Sequence, residues 1–509
     1  MEEWLEALLS PRAWPFPASS VEHLETHISH LFLVGAYAYK VKKAVDLGFL
    51  DFSTLEKRRF YCEEELRLNS RMAPGIYLEV VPIARDEEGL HVEGKGEVVE
   101  YAVKMRRFDG ACLFDRMPLA ARHVDALARR VASFHKGLSS ASADTEWGAP
   151  EKVWHYVDQN FGQILELGLF PQWSGRLRSL WERARQRFEA LRPRLLARKE
   201  KGWIRECHGD MHLGNIVLVD GEVMVFDGIE FNAELRWIDT VNDIAFLLMD
   251  LERRGMERLA WRFLNLYLEE IGDYEGVPLL EFYKAYRAMV RAKVAAIRLS
   301  QDAGGSEERG RQFAGYIGYA ERCLQRNHRP LLCITHGLSG SGKSHFCREM
   351  RERLGLIHLR SDLERKRLFG LSPQADSRSA VEGGIYTPEA TERTYGRLEE
   401  LAGLLLEAGY DVVVDATFLE AARRRRFREL AARKGAAFRL LVFEAPEAVL
   451  RQRVVERSRE GRDVSEADLA VLERQMEKRQ PLSAAERREA VVVETTKEVD
   501  WKGVQRALA

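Results

Sequence analysis

Apolar and polar positions alternate in different rhythms along this chain. Near the start, "AYAYKVKKAV" (36–45) and "VVEYAVKMRRF" (98–108) have the character of strands. Between them, "STLEKRRFYCEEELRLNSRM" (53–72) has helical spacing. Ser53 is placed as its N-cap, with Glu56 at capping-box distance. From about 119 to 200, apolar residues return every three or four positions, which predicts helices. A hairpin follows. "IVLV" and "VMVF" flank Asp220-Gly221, a pair that supplies the two positive φ angles of a tight turn. Helical spacing resumes from about 237 to 300. "SQDAGGSEERG" (300–310) interrupts it as a loop, and one more helix precedes "RNHRP" (326–330).

Past that point the rhythm changes. "LLCIT", "DVVVDAT" and "FRLLVFEA" are short apolar runs separated by longer helical stretches. A continuous apolar strand is one buried on both faces, so the expectation is a parallel sheet with crossover helices. A domain boundary is placed near 328. It leaves an α+β domain over 1–328, in two lobes of about 1–107 and 108–328, and an α/β domain over 329–509. In a chain of 509 residues each part is large enough to bury its own core.

Composition narrows the class only a little. A formal net charge of −1 gives no global field that would favour nucleic acid or an anionic membrane. The six cysteines form no C-x-x-C pair and no zinc-finger spacing, so reduced thiols and a cytoplasmic protein are expected. "MEEWLEALLSPRAWP" has no basic region followed by an apolar run, unlike a secretory leader. No stretch approaches 18 uncharged apolar residues, so no membrane span is expected.

The strongest chemical signal is "GLSGSGKS", Gly337 to Ser344, between a predicted strand and a predicted helix. It matches G-x-x-x-x-G-K-[ST] at Gly337, Gly342, Lys343 and Ser344, with Ser339, Gly340 and Ser341 completing the loop. Glycines let backbone N–H groups curl around phosphate oxygens, and the helix N-terminus adds partial positive charge. Lys343 is expected on the β/γ-phosphates of ATP, and the Ser344 hydroxyl on Mg²⁺. In "HLRSDLERKRLFG" (358–370), Asp362 can take a proton from an attacking hydroxyl and Arg365 can hold a phosphate. "VVVDATF" ends in Asp415 and Thr417, a Walker-B-like place. Arg453 and Arg457 stand one helical turn apart as a lid. Residues 330–480 resemble the group of P-loop small-substrate and polynucleotide kinases. The resemblance implies Asp362 as general base, Arg365 as acceptor contact, Asp415 as metal or substrate-side carboxylate and Arg453/Arg457 as lid. "RRRR" (Arg423 to Arg426) reads as an exposed charged helix start or as a nucleic-acid contact.

A second signal lies upstream. "HGDMHLGN", His208 to Asn215, has the H-x-D and D-x₄-N spacing of a kinase catalytic loop. Asp210 is the base, Asn215 a Mg²⁺ ligand, and Asp227, after the hairpin, the second metal carboxylate. Lys40 in "YAYK" is the candidate for the α/β-phosphates, with Lys42 as runner-up and Glu65 or Glu64 as its partner. Asp239 and Asp243 either hydrogen-bond the catalytic loop or line a cationic pocket. The pattern H-G-D-x-H-x-x-N, with no G-x-G-x-x-G and only Gly35 near the expected phosphate loop, resembles the aminoglycoside phosphotransferase family over about residues 30–300.

The whole arrangement resembles bacterial proteins that fuse an aminoglycoside-phosphotransferase-like domain to a P-loop ATP-binding domain. It implies an α+β two-lobed protein-kinase-like domain followed by an α/β P-loop kinase domain with a parallel sheet. The expected activity is a bifunctional, ATP- and Mg²⁺-dependent phosphotransferase with a small-molecule hydroxyl acceptor at the first site. Two alternatives stand beside it: phosphorylation of 5′-hydroxyl nucleic-acid ends by the second half, or a nucleotide-binding regulator in which one half has no catalysis.

Overall fold

The computed structural model describes residues 3–48, 50–168, 171–301, 307–325, 328–373, 375, 377, 383–460 and 468–508. Parts of the predicted 300–310 loop, of "RNHRP" and of the run after Arg457 lie outside them. Contacts divide the chain into two compact units. One is Met1–Arg253 with Phe282–Ala320; the other is Arg254–Glu281 with Glu321–Ala509. The division differs from a single cut near 328, because the chain leaves the first unit at 254, returns at 282 and leaves again at 321.

The first unit opens with an antiparallel sheet. Its strands are β1 (Glu22–Glu25), β2 (Ser29–Val34), β3 (Tyr37–Lys42), β4 (Tyr77–Asp86), β5 (Gly89–Val92) and β6 (Glu97–Arg106), in the order β1-β2-β3-β6-β4-β5. Alternation along β3 sorts its side chains between faces. Tyr39 and Val41 pack with Trp14, Phe32 and Ile83. Ala38 joins Cys62 and Tyr77 on the other face, where Lys40 and Lys42 also point. The turn from β2 to β3 passes through Gly35 at φ 56°, and the β1–β2 connection is closed by Thr26, whose hydroxyl accepts from the Ser29 N–H at 3.0 Å.

The helix Leu55–Asn69 follows β3. Its N-cap is Thr54, which accepts from the Lys57 N–H, one residue beyond the predicted Ser53; Ser53 instead donates its hydroxyl to Asp51. The predicted capping box from Ser53 to Glu56 is therefore shifted out of register. Helices at Ala121–Gly137, Pro150–Glu166 and Ser174–Glu200 fill the predicted helical stretch. The rest of this unit has β7 (Ile204–Glu206) paired with β10 (Trp237–Asp239), and the hairpin of β8 (Ile216–Val219) and β9 (Glu222–Val225). Asp220 and Gly221 turn that hairpin with φ of 51° and 82°, as the Asp-Gly pair requires. The helices Thr240–Arg253 and Leu280–Gln301 complete the fold around it.

The second unit is built on a five-stranded parallel sheet. β11 (Leu331–His336), β12 (Ile357–Arg360), β13 (Val412–Asp415), β14 (Ala437–Glu444) and β15 (Ala490–Glu494) lie in the order β12-β13-β11-β14-β15. Central β11 and β13 are buried along nearly their whole length, which explains their unbroken apolar sequence. The "LLCIT" and "VVVD" runs set that register, pairing Cys333 with Val413. The segments bearing Gly337, Asp362, Thr417 and Thr495 all leave the carboxyl ends of these strands, the edge at which such sheets bind ligands.

Candidate functional sites

In the first unit the two lysines of β3 converge on one glutamate. Lys40 donates to Glu65 Oε1 at 2.8 Å and to Asp227 Oδ1 at 2.7 Å. Lys42 donates to Glu65 Oε2 at 2.7 Å and also pairs with Glu230. The sequence left Lys40 against Lys42 and Glu65 against Glu64 open. Lys40 is the lysine that reaches Asp227, both share Glu65, and Glu64 turns away to Arg67 and Arg236. Burial alone would lift the Glu65 carboxyl, but the charges of Lys40 and Lys42 bring it down to about 2. Burial pulls the Lys40 ammonium down, yet Asp227 and Glu65 hold it well above its ordinary value.

The H-G-D loop is held from behind. Fully buried Asp243 accepts from the N–H groups of His208 at 3.1 Å and Gly209 at 2.9 Å, and pairs with His135 at 3.1 Å. Asp243 thus holds the loop, and Asp239 is occupied by Arg198 at 2.6 and 2.8 Å. Asp250 accepts from the Leu213 N–H at 3.0 Å, and Arg287 donates to the Gly209 carbonyl at 2.9 Å. His208 bridges the loop to the hairpin. Its Nε2 lies 2.9 Å from the Phe226 carbonyl, and its Nδ1 accepts from the Asp210 N–H at 3.2 Å. These partners require a neutral ring with the proton on Nε2, and burial lowers the ring's basicity accordingly.

Asn215 donates to the Asp210 carbonyl at 3.0 Å and to its carboxylate at 3.2 Å. Burial alone would raise the Asp210 carboxyl; His212, 3.5 Å away, together with His208 and Arg291, holds it well below the usual range. These neighbours favour the ionised form of the Asp210 carboxyl. The hairpin pairs Ile216 with Val225, and the Phe226 N–H donates to the Asn215 carbonyl at 3.0 Å. Asn215 and Asp227 consequently emerge together at the hairpin's open end. Asp227 sits at φ 60°, a conformation that costs a non-glycine residue on the order of 1 kcal/mol. Its N–H donates to the Tyr77 hydroxyl at 3.1 Å, and the Gly228 N–H donates to Asn69 at 2.7 Å.

In the second unit, Ser339, Gly340, Gly342, Lys343, Ser344, Asp362, Arg365, Asp415, Arg453 and Arg457 all line one cavity of about 690 Å³. Gly337 and Ser341 support it from behind: the Gly337 N–H donates to the Thr417 carbonyl at 3.2 Å, and the Ser341 carbonyl accepts from Thr495 at 2.9 Å. Gly340 and Gly342 have φ of 81° and 86°. A Cβ on Gly340 would meet the Leu450 carbonyl at 2.7 Å, so only glycine fits there. The helix Lys343–Leu354 starts directly at Gly342. Lys343 donates to the Leu338 carbonyl at 2.8 Å, and burial lowers its pKa against the pull of Asp415 and Asp362.

The helix Ser361–Leu368 puts Asp362 and Arg365 one turn apart. Arg365 donates to the Ile385 carbonyl at 2.8 Å and lies over the Tyr386 ring at 4.9 Å. Its buried Nε has no hydrogen-bond partner among the described residues. Asp415 accepts from His358 at 3.3 Å. Burial would raise its carboxyl, but His358, Lys343 and Arg360 hold it well down. Arg453 is committed elsewhere: it donates to Thr495 Oγ1 at 2.9 Å, to the Thr495 carbonyl at 3.0 Å and to the Gly340 carbonyl at 3.3 Å. It braces the glycine loop. A second hollow, about 610 Å³, adjoins the loop between Gly342, His345, Arg453, Thr495 and Trp501.

The arginine run does not form one face. Arg424 is buried and paired with Glu486; Arg426 pairs with Glu392 and Glu399; Arg423 lines the cavity, 4.4 Å above the Tyr395 ring. Sequence reasoning missed Glu230, Gln475, His358 and Thr495. Gln475 accepts from the Ser339 N–H at 2.8 Å. Glu230, Gln475 and Thr495 lie outside the motifs read from the sequence, and His358 opens the 358–370 segment but carries no recognisable role there; the short "AVVVE" run before Thr495 is only a weak strand signal.

The comparisons fit this geometry. Residues 61–280 match the model of the phosphotransferase enzyme family, and residues 332–482 match that of an AAA domain. The chain joins a kinase-like phosphotransferase domain to a P-loop kinase-like domain. It belongs to the family of uncharacterized proteins of Mycobacterium tuberculosis and Mycobacterium bovis, to which it is 33% identical over 457 residues, 88% of either chain. Among solved structures it is similar to the amicoumacin kinase in complex with AMP-PNP, Ca²⁺ and Ami (14% identity, 64% of this chain and 94% of that one, TM-score 0.41). It is also similar to a gluconokinase from Sinorhizobium meliloti (21% identity, 36% and 91%, TM-score 0.26). Among the described residues no helix is long and apolar enough to cross a membrane.

Proposed function

We propose that each half transfers the γ-phosphate of ATP to an acceptor hydroxyl. In the first unit Asp210 takes the proton of a small-molecule hydroxyl, and Lys40, held by Glu65, meets the phosphates. In the second, Asp362 is the base and Lys343 the phosphate contact. The observation that carries this reading is the convergence of the separated 337–344, 358–370 and 412–418 motifs on one cavity. Asn215 with Asp227, and Ser344 with Asp415, are hard oxygen donors of the kind Mg²⁺ takes. When bound, Mg²⁺ would neutralise charge on the phosphates.

Arg365 and Arg423, stacked on Tyr386 and Tyr395 at the same cavity, favour an acceptor that carries an anionic group. A long nucleic-acid backbone is favoured less, because Arg424 and Arg426 are engaged within the fold. The test is label transfer from γ-labelled ATP to sugars, sugar acids, amino alcohols, aminoglycosides and a 5′-hydroxyl oligonucleotide. Asp210→Asn should remove transfer to one acceptor and Asp362→Ala transfer to another, each by about 10²–10⁴-fold. A variant that keeps full turnover on every acceptor loses its assignment as base.

A further inference from the structure

We infer that Glu269 is a positioning residue of the P-loop site, acting through His358 on Asp415. The inference rests on the nucleotide reading of that site. Glu269 stands on the helix Glu257–Ile271, inside the stretch matched by the phosphotransferase model, yet it belongs to the second unit. That helix is built into the sheet's edge. Asn265 donates to the Leu356 carbonyl at 3.0 Å and accepts from the His358 N–H at 2.8 Å. A Cβ on Gly355 would strike Trp261 at 2.8 Å, so the approach is close.

From there a chain of charged groups runs to the cavity. Along β12, His358 and Arg360 share one face by alternation. Glu269 pairs with Arg351, and its two oxygens lie 3.8 Å from His358 Nδ1 and 3.8 Å from Arg360. The opposite nitrogen of His358 meets Asp415 at 3.3 Å. His358 Nδ1 is buried without a hydrogen-bond partner among the described residues, and the Glu269 carboxylate, itself paired with Arg351, faces it at 3.8 Å. Arg360 is the cross-strand neighbour of Asp415 and lines the cavity.

Glu269 thus does two things for Asp415. It draws the field of Arg351 and Arg360 to itself, and it steadies the imidazole that orients the carboxylate. Without it, the charge that Arg360 already exerts on Asp415 is no longer offset, and Arg360 competes more strongly with a divalent cation for that carboxylate. Partners that stand behind a metal-binding carboxylate are commonly worth about 10–100-fold in metal affinity.

The experiment uses the full chain carrying Lys40→Ala, so that ATP titration reports the glycine-loop site, with Lys343→Ala as the control that removes it. ATP binding is measured by calorimetry over a Mg²⁺ series and in EDTA. Glu269→Gln should raise the half-saturating Mg²⁺ by about 10-fold and leave ATP affinity in EDTA within about twofold. His358→Gln should do the same, and the double variant should add little, because both act through one carboxylate. Mg²⁺ dependence unchanged in Glu269→Gln and His358→Gln overturns the inference. If Glu269→Gln does not fold, His358→Gln and Glu269→Asp decide by the same readout. If the parent binds no ATP that Lys343→Ala abolishes, the nucleotide reading fails and this inference falls with it. The variants alone cannot produce that result.

Discussion

Replacing Glu65 by glutamine tests the centre of the first site. Glu65 is fully buried, as is Lys42, and it accepts from both β3 lysines. Its carboxyl falls from 4.5 to about 2, with burial opposing and the two lysine charges prevailing. Loss of one partner from such a buried pair costs at least about 3 kcal/mol. Because the folded value is depressed, this stability is fully present above about pH 4.5 and is lost as pH falls towards 2. Glu230 opposes part of it, since burial and the Glu65 charge push its carboxyl up. Comparison of variant and parent reads the loss of the Glu65 charge together with the relief it brings to Glu230.

At pH 7, Glu65→Gln should lower the melting temperature of the first unit by about 6–12 °C, at about 2–4 °C per kcal/mol. Calorimetry of the full chain should resolve the shift. Urea titrations between pH 7 and 3 should show the gap between parent and variant shrinking on the acid side. Affinity for ATP at this site should fall as well, since Lys40 loses the carboxylate that holds it beside Asp227. A variant within 1 kcal/mol of the parent at pH 7, with no change in acid sensitivity, would refute the bridged arrangement.

Other outcomes follow from the same contacts. Lys343→Ala should weaken ATP binding at the glycine loop and leave the first site unchanged, measured by titration against Lys40→Ala and wild type. Asn265→Ala strands the His358 N–H and the Leu356 carbonyl in a buried place, so the second unit should lose about 2–4 kcal/mol in urea unfolding.

Much of both sites was legible in the sequence, for a physical reason. A phosphate loop and a catalytic loop are local: their spacing is set by one turn, so the chain spells it. The Asp220-Gly221 turn, the glycines at 340 and 342, and the β11 and β13 runs were readable on the same ground. The edges were not. Thr54 caps the helix where Ser53 was placed, because both are cap-forming and only the approach of Asp51 decides between them. β15 and its Thr495 went unplaced because a short, half-exposed edge strand carries little apolar signal. Arg453 has lid spacing, yet it is spent on Thr495 and Gly340, a choice that depends on a strand forty residues away. Glu230, three residues past Asp227, has no motif at all; only the fold brings Lys42 to it.

The hardest feature to foresee is the interleaving near 254–281. The helix Thr240–Arg253 supplies Asp243 and Asp250 to the H-G-D loop, and Leu280–Gln301 supplies Arg287 to the same loop. Between them, Glu257–Ile271 supplies Asn265 and Glu269 to the sheet that carries the glycine loop. Apolar periodicity reads these as three successive helices of one bundle, because each is amphipathic in the same way whatever it packs against. Only pairwise contacts separate them. A cut at 328 would leave the P-loop part without the helix that covers Leu356 and partners Arg351, and a cut at 253 would strip the first site of Arg287. One chain therefore carries two kinase-like domains that no single cleavage divides cleanly, each candidate site depending on residues that lie, in sequence, inside the span of the other.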